Sequence, residues 1–219
     1  MKKLIQGIVD FRTGLTNESR EMFAQLALGQ KPDALFIACS DSRVVPNLFA
    51  SKNPGDLFVL RNIGNLVPPF SSDQCDDSAS AVIELSVQVL NVSNIIVCGH
   101  SECFAMHTLV ENNFDAKCCP HFASWLKHGK ESLNKVKNGL VLNPALSEQN
   151  QVSQANVLQQ MEHIASYPFV KERMEKKQLG IHGWWFDIAQ ADVYCYEQDL
   201  NNFVLIDEKE AKHIMDRLD

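Results

Sequence analysis

Two short clusters in this chain hold residue types that can work on a metal ion. Cys39-Ser40-Asp41-Ser42-Arg43 closes one apolar run, and Gly99-His100-Ser101-Glu102-Cys103 closes another. Two thiolates and one imidazole are soft-to-borderline ligands, and zinc is their usual partner. Three protein ligands leave the fourth tetrahedral position to water, the mark of a catalytic rather than a structural site. No further Cys or His stands at finger-like spacing to close it, and the adjacent Cys118-Cys119 reads as incidental. His100 and Cys103 are spaced to share one face of a starting helical turn. A helix N-terminus lowers a thiol pKa and so favours the thiolate that zinc requires. Plainer readings stay open on the residues alone. A cysteine at a strand end is often a small buried hydrophobe, and Asp41 with Arg43 makes a surface pair worth little.

The elements that would bring these clusters together can be read from apolar patterning. Ala34–Cys39, Asp56–Arg61, Asn94–Gly99 and Leu179–Asp187 read as buried strands, and Ala191–Glu197 alternates as an edge strand would. Ser78–Leu90, Pro120–Lys137 and Ser147–Ser166 carry helical patterns between them. Ser147-Glu148-Gln149-Asn150 is a helix start, with Asn in place of the Glu or Gln of a capping box. Strands alternating with helices predict an α/β fold. Its central sheet is mainly parallel, four strands plus an edge strand, with helices on both faces. Ligand sites in such sheets form beyond the carboxyl ends of strands, where neighbouring crossovers diverge. If the first and third strands are neighbours, Cys39, His100 and Cys103 converge there.

Composition excludes several classes. The 219 residues, 45% hydrophobic and 21% charged, suit one ordinary domain over 1–219 with a helical segment at about 1–28. The net charge of −7, without a Lys/Arg stripe, argues against nucleic acid as a partner. No apolar run is long enough to span a bilayer, and the start breaks at Asp10 and Arg12, unlike a signal peptide. Seven cysteines without a signal read as a reducing, cytoplasmic setting. The apolar start (Leu4, Ile5, Ile8, Val9 and Phe11) suits a helix laid on a partner subunit or on its own core.

Cys39-Ser-Asp41-Ser-Arg43 followed by His100-x-x-Cys103 resembles the β-class carbonic anhydrases of bacteria. Pro54–Asn65, Asn94–Ser101 and His182–Asp187 are similar to further segments of that family. The resemblance implies one Zn²⁺ per chain, held by Cys39, His100 and Cys103. It implies that Asp41 accepts a hydrogen bond from zinc-bound water while Arg43 holds Asp41 in place. Gln30, Phe58, Ile63 and Phe104 fall at substrate-pocket positions, contributed partly across a dimer interface. The implied reaction is reversible hydration of CO₂ to bicarbonate and a proton by zinc-bound hydroxide, since zinc lowers the pKa of bound water from about 15.7 towards 7. The implied assembly is a homodimer or homotetramer. His107, His121 and His128 are candidates for the proton route by composition only.

Several positions depart from the family pattern. Phe104 stands where glycine usually follows the second cysteine, and Ser78 and Ser80 replace glycines before the helix that carries Leu85. The ring of Phe104 is expected to pack into the core. Some bacterial members hold an inhibitory bicarbonate with a Trp, an Arg and a Tyr, where this chain has Phe36, Arg61 and Phe186. Other readings are a carbonyl sulfide or carbon disulfide hydrolase of the same fold, and a non-catalytic zinc-binding relative. A metal-free thiol enzyme using Cys103 and His100 would lack an orienting third group.

Overall fold

The run Ala34-Leu-Phe-Ile-Ala-Cys39 carries no polar residue, and in the computed structural model it is a strand buried along its whole length. A strand of that kind needs cover on both faces. Residues 1–51, 53–71, 77–112 and 114–218 are described. The strands among them are β1 Ala34–Cys39, β2 Leu57–Asn62, β3 Asn94–His100, β4 Gly180–Asp187, β5 Asp192–Glu197 and β6 Asn202–Leu205. The helices are α1 Lys2–Gly14, α2 Asn17–Leu26, α3 Pro46–Phe49, α4 Asp77–Glu84 and α5 Phe104–Glu111. They continue with α6 Pro120–Trp125, α7 Lys130–Lys137, α8 Glu148–Ala165, α9 Pro168–Glu175 and α10 Glu208–Leu218.

One sheet takes the order β2-β1-β3-β4-β5-β6. The first four strands in that order are parallel, and β5 and β6 are antiparallel additions. The mainly parallel sheet is thus as expected, but β5 is not its edge. Asn202–Leu205 pairs with β5 as a sixth strand, after a turn in which Asn201 takes a left-handed φ of 46°. Four residues are too few for period-2 alternation to stand out.

Alternate residues of β1 enter different cores. Leu35 and Ile37 pack with Ile95, Val97 and Trp185, beneath Val157 and Ile164 of α8. Phe36 and Ala38 pack with Ile96, Cys98 and Phe186, closed by Phe49 of α3. Each large side chain buried this way contributes about 1.5–3 kcal/mol. The expected helix over Ser78–Leu90 is α4 followed by a π-helical turn at Leu85–Val89. Pro120–Lys137 divides into α6, a 3₁₀ turn at Leu126–Gly129, and α7. The N-terminal segment is two helices, broken before Thr16, whose side chain accepts from the Ser19 N–H. The apolar side chains Leu4, Ile5, Ile8 and Val9 of α1 are exposed.

Helix α8 starts where expected. Ser147 caps it, its hydroxyl accepting from the Asn150 N–H at 3.4 Å. It lies directly over the end of β3, and a Cβ on Gly99 would sit 2.7 Å from Val157 Cγ2 and 3.3 Å from the Ser153 carbonyl. The absence of a side chain at Gly99 therefore sets how closely α8 approaches the strand that ends in His100. Gly99→Ala is expected to destabilise the fold by about 1–3 kcal/mol through overpacking, measured by denaturant unfolding. An unchanged midpoint would show that α8 moves away freely.

Candidate metal centre

Parallel pairing sets the first distance. Ala38 is registered on Cys98, so the next residue of each strand, Cys39 and Gly99, carries the chain out of the sheet side by side. His100 ends β3 and Cys103 precedes α5. The ligand-bearing atoms of Cys39, His100 and Cys103 lie within 4.8 Å of one another, and all three residues are buried. The spacing argument thus brought together the residues it named.

The surroundings suit a cation. The Nδ1 of His100 lies 2.8 Å from the Ser101 carbonyl, which fixes the proton on Nδ1. Its Nε2 is then a lone pair, fully buried and without a hydrogen-bond partner. An orphaned acceptor of that kind, with its opposite nitrogen anchored to a carbonyl, is how a ligating histidine is held. The Gly64 N–H points at Cys39 Sγ from 3.3 Å. Contact with Cys103 is the main influence pulling the Cys39 thiol down, against burial, with the Gly64 N–H helping. The same contact and burial push Cys103 well up. A cation bound between these sulfurs would release the protons they still hold. The S, N, S donor set therefore fits zinc.

Beside this centre, Asp41 is held by three hydrogen bonds. Its Oδ1 accepts from the Arg43 backbone N–H and Nε, both at 2.9 Å, and its Oδ2 accepts from Arg43 Nη2 at 2.7 Å. The Arg43 side-chain bonds are the main reason its carboxyl sits far below the usual carboxylate range, in spite of burial. Arg43 Nη2 also donates to the Glu102 carbonyl at 3.1 Å. Arg61 clamps the same turn, Nε donating to the Cys39 carbonyl at 3.0 Å and Nη2 to the Asp41 carbonyl at 2.7 Å.

Sequence reasoning passed over the residues that brace this arrangement. Glu102 has a left-handed φ of 56°, unusual for a residue with a side chain. Asn150 holds it there, accepting from the Glu102 N–H at 2.9 Å and donating to its carboxylate at 3.1 Å. Asn150 was legible only as an imperfect capping residue; its side chain is committed to Glu102 instead. Ser153 of α8 donates to the His100 carbonyl at 2.7 Å and accepts from the Trp185 indole. Gly64, at φ 74°, has its carbonyl held by Asn156, and a Cβ there would lie 2.9 Å from Ala105. No spacing rule ties α8 to these loops.

The chain can be set beside known proteins on this geometry. A family model described as carbonic anhydrase matches residues 34–193. A carbonic anhydrase of Synechocystis sp. is 37% identical over 211 residues, covering 93% of this chain and 74% of that one. Another, of Pseudomonas aeruginosa, is 35% identical over 95% of this chain and 93% of its own. The solved β-carbonic anhydrase CcaA superimposes with a TM-score of 0.86 at 36% identity, covering 94% of this chain and 98% of its own. The chain belongs to the β-class carbonic anhydrases.

In this β-carbonic anhydrase a cavity of about 750 Å³ opens next to the centre, with Ser40, Asn62, Ile63, Ser78, His121 and Trp125 among its walls. Of the expected pocket residues, Ile63 lines it. Gln30 is exposed elsewhere, and Phe58 packs partly buried against the core around Leu35. Phe104 does not enter the core as expected, being 62% exposed. Its ring stacks on Phe122, centroids 6.0 Å apart, because the buried face of α5 is already filled by Ala105, Met106 and Leu109. Ser78 faces the cavity, while the Ser80 hydroxyl is paired with that of Tyr167 at 3.0 Å. Among the three histidines, His121 lines the cavity, His107 is bonded to Gln149, and His128 lies edge-on to Trp125.

Proposed function

We propose that this β-carbonic anhydrase hydrates CO₂ reversibly at the centre of Cys39, His100 and Cys103, with Asp41 and Arg43 as its orienting pair. The observation that carries the reading is the buried, unpartnered His100 Nε2 beside two thiols and next to the fixed Asp41 carboxylate. Zinc, when bound, acidifies a coordinated water so that hydroxide is available near neutral pH. The protein's own groups do the rest. Asp41 is charged throughout the neutral range and can only accept. Both lone pairs of its Oδ1 are taken by Arg43, and Oδ2 keeps one. A nucleophilic O–H must therefore donate to that one position, which turns the oxygen's own lone pair towards the carbon. CO₂ carries no charge and needs only a small apolar recess, which Ile63 and Trp125 supply.

The relatives named above are carbonic anhydrases, which favours CO₂ over carbonyl sulfide or carbon disulfide. The intact Asp41–Arg43 pair favours catalysis over a purely zinc-binding role. A thiol nucleophile at Cys103 is disfavoured because that residue is 1% exposed. Two thiolate ligands must stay reduced, which supports a cytoplasmic setting; among the described residues no helix is long and apolar enough to cross a membrane. The exposed apolar face of α1 supports assembly with further copies of the chain. Two solved relatives from Sordaria macrospora, at 29% identity and a TM-score of 0.75, are tetrameric. In such an assembly Gln30 and Phe58 would serve a neighbouring copy's pocket, which accords with their lying away from the cavity here.

Metal analysis of the purified protein is expected to give about one zinc per chain, with Cys39→Ser or Cys103→Ser removing it. Full zinc in either variant would refute the ligand set. Asp41→Ala is expected to keep its zinc and lose roughly 10²-fold or more of CO₂ hydration, the scale of a positioned proton acceptor. Wild-type rates in stopped-flow assays of that variant would remove Asp41 from the mechanism.

Regulation by bicarbonate at Phe36, Arg61 and Phe186 is not supported by their surroundings. Phe36 is fully buried and meets Trp184 at 5.8 Å and Phe49 at 6.1 Å, and Phe49 stacks on Phe186 at 4.7 Å. Rings fill the space that an anion would need, and Arg61 is already committed to two carbonyls. Each unmade hydrogen bond to a buried anion costs about 1–3 kcal/mol or more. Bicarbonate is therefore expected to act as a simple product inhibitor at fixed pH and ionic strength. A steep sigmoidal loss of rate, abolished by substituting Arg61 while zinc is retained, would overturn this.

A further inference from the structure

Cys118 and Cys119 take no part in the metal centre, yet both line the cavity that reaches Ser40 and Asn62 beside it. They are exposed free thiols, and Cys119 Sγ lies 3.9 Å from Cys118 Sγ. The pair is displayed from a braced turn. Asp115 accepts from the Lys117 N–H with its carboxylate at 2.9 Å and from the Cys118 N–H with its carbonyl at 3.1 Å. On the other side Phe122 is held between Phe104, at 6.0 Å, and Phe114, at 4.9 Å. The exposed ring of Phe104 thereby supports the segment that presents the thiols.

Two neighbouring thiols can form a disulfide or share a metal ion, and the geometry separates these. Consecutive Cα atoms are about 3.8 Å apart, whereas an unstrained disulfide needs about 4.4–6.8 Å. A tetrahedral ion bonded to two sulfurs at about 2.3 Å places them about 3.8 Å apart, close to the distance present. The carboxylate of Asp115 adds negative charge near Cys119.

We propose that Cys118 and Cys119 form a second, accessory site for a thiophilic divalent cation on the wall of the cavity. Each sulfur bonds the ion as its proton leaves to solvent, so two protons are released per ion and no electron is transferred. Two protein ligands leave the other positions to water, so the ion exchanges readily and the site suits capture rather than permanent storage. The site does not depend on the CO₂ reading, because its occupancy is counted separately from zinc.

The test is titration of the zinc-loaded full-length protein with Cd²⁺, following thiolate-to-cadmium absorbance, bound cadmium, retained zinc and released protons. The wild type is expected to take up about one additional Cd²⁺ per chain and release about two protons while keeping its zinc. Cys118→Ser and Cys119→Ser should each weaken that uptake at least roughly tenfold. Cadmium gained only as zinc is lost would overturn the proposal. So would undiminished uptake by the Cys118→Ser/Cys119→Ser double variant.

Discussion

The ladder between β1 and β3 is the constraint from which the site follows. Parallel neighbours lie about 4.8 Å apart, and their hydrogen bonds allow no slippage without turning every side chain to the wrong face. With Ala38 registered on Cys98, Cys39 and His100 end their strands within one residue of each other. The alternation that sends Leu35 and Ile37 to one core and Phe36 and Ala38 to the other locks that register from both sides. The meeting of the three donor residues is thus built on a hydrophobic pattern. A slip of one residue would exchange the side chains of the two cores and carry Cys39 away from His100 at once.

A set of charged and polar groups then does locally what the ladder cannot. The turn after β1 carries Asp41, and its backbone has left the sheet. Arg61 ties its carbonyls back to β2, while Arg43 ties Asp41 across to the Glu102 carbonyl. Asn150 in turn holds Glu102 in a conformation that an unassisted residue seldom adopts. Strands β1 and β2 and helix α8 are therefore joined through four side chains around one carboxylate. Such networks are costly when half-satisfied, which gives each member an effect larger than one exposed ion pair.

The cluster of Cys39, His100 and Cys103 and the parallel sheet were legible because both arise from local signals, the residue types at strand ends and the apolar runs before them. Residues whose roles depend on a distant partner were not. Asn150, Ser153 and Asn156 look like ordinary polar positions of a helix start, and only packing of α8 over Gly99 brings them to the loops. β6 escaped notice because Asn202–Leu205 is too short to show a period. Phe104 misled in the opposite sense. An aromatic residue beside a buried cysteine suggests core, but Ala105, Met106 and Leu109 already fill that face of α5.

The two arginines near the centre show how the same charge takes opposite roles. Arg43 meets a carboxylate with fork geometry, so its bonds are charge-assisted at both ends and hold Asp41 ionised. Arg61 meets only backbone carbonyls of that turn, whose one carboxylate, Asp41, is bonded to Arg43 instead. The Arg61 charge lies close to the Cys39 carbonyl and favours negative charge in its neighbourhood. An anion drawn towards Arg61 would have to replace two existing hydrogen bonds and loosen the turn that carries Asp41. The energy gained from the new contact is set against the order of the turn that carries Asp41, and the phenyl rings of Phe36 and Phe186 offer no donors to offset the loss. Recruitment of Arg61 as a clamp and the absence of polar partners around it are therefore two expressions of one arrangement, in which the arginine serves the geometry of Asp41 and not the binding of a second anion.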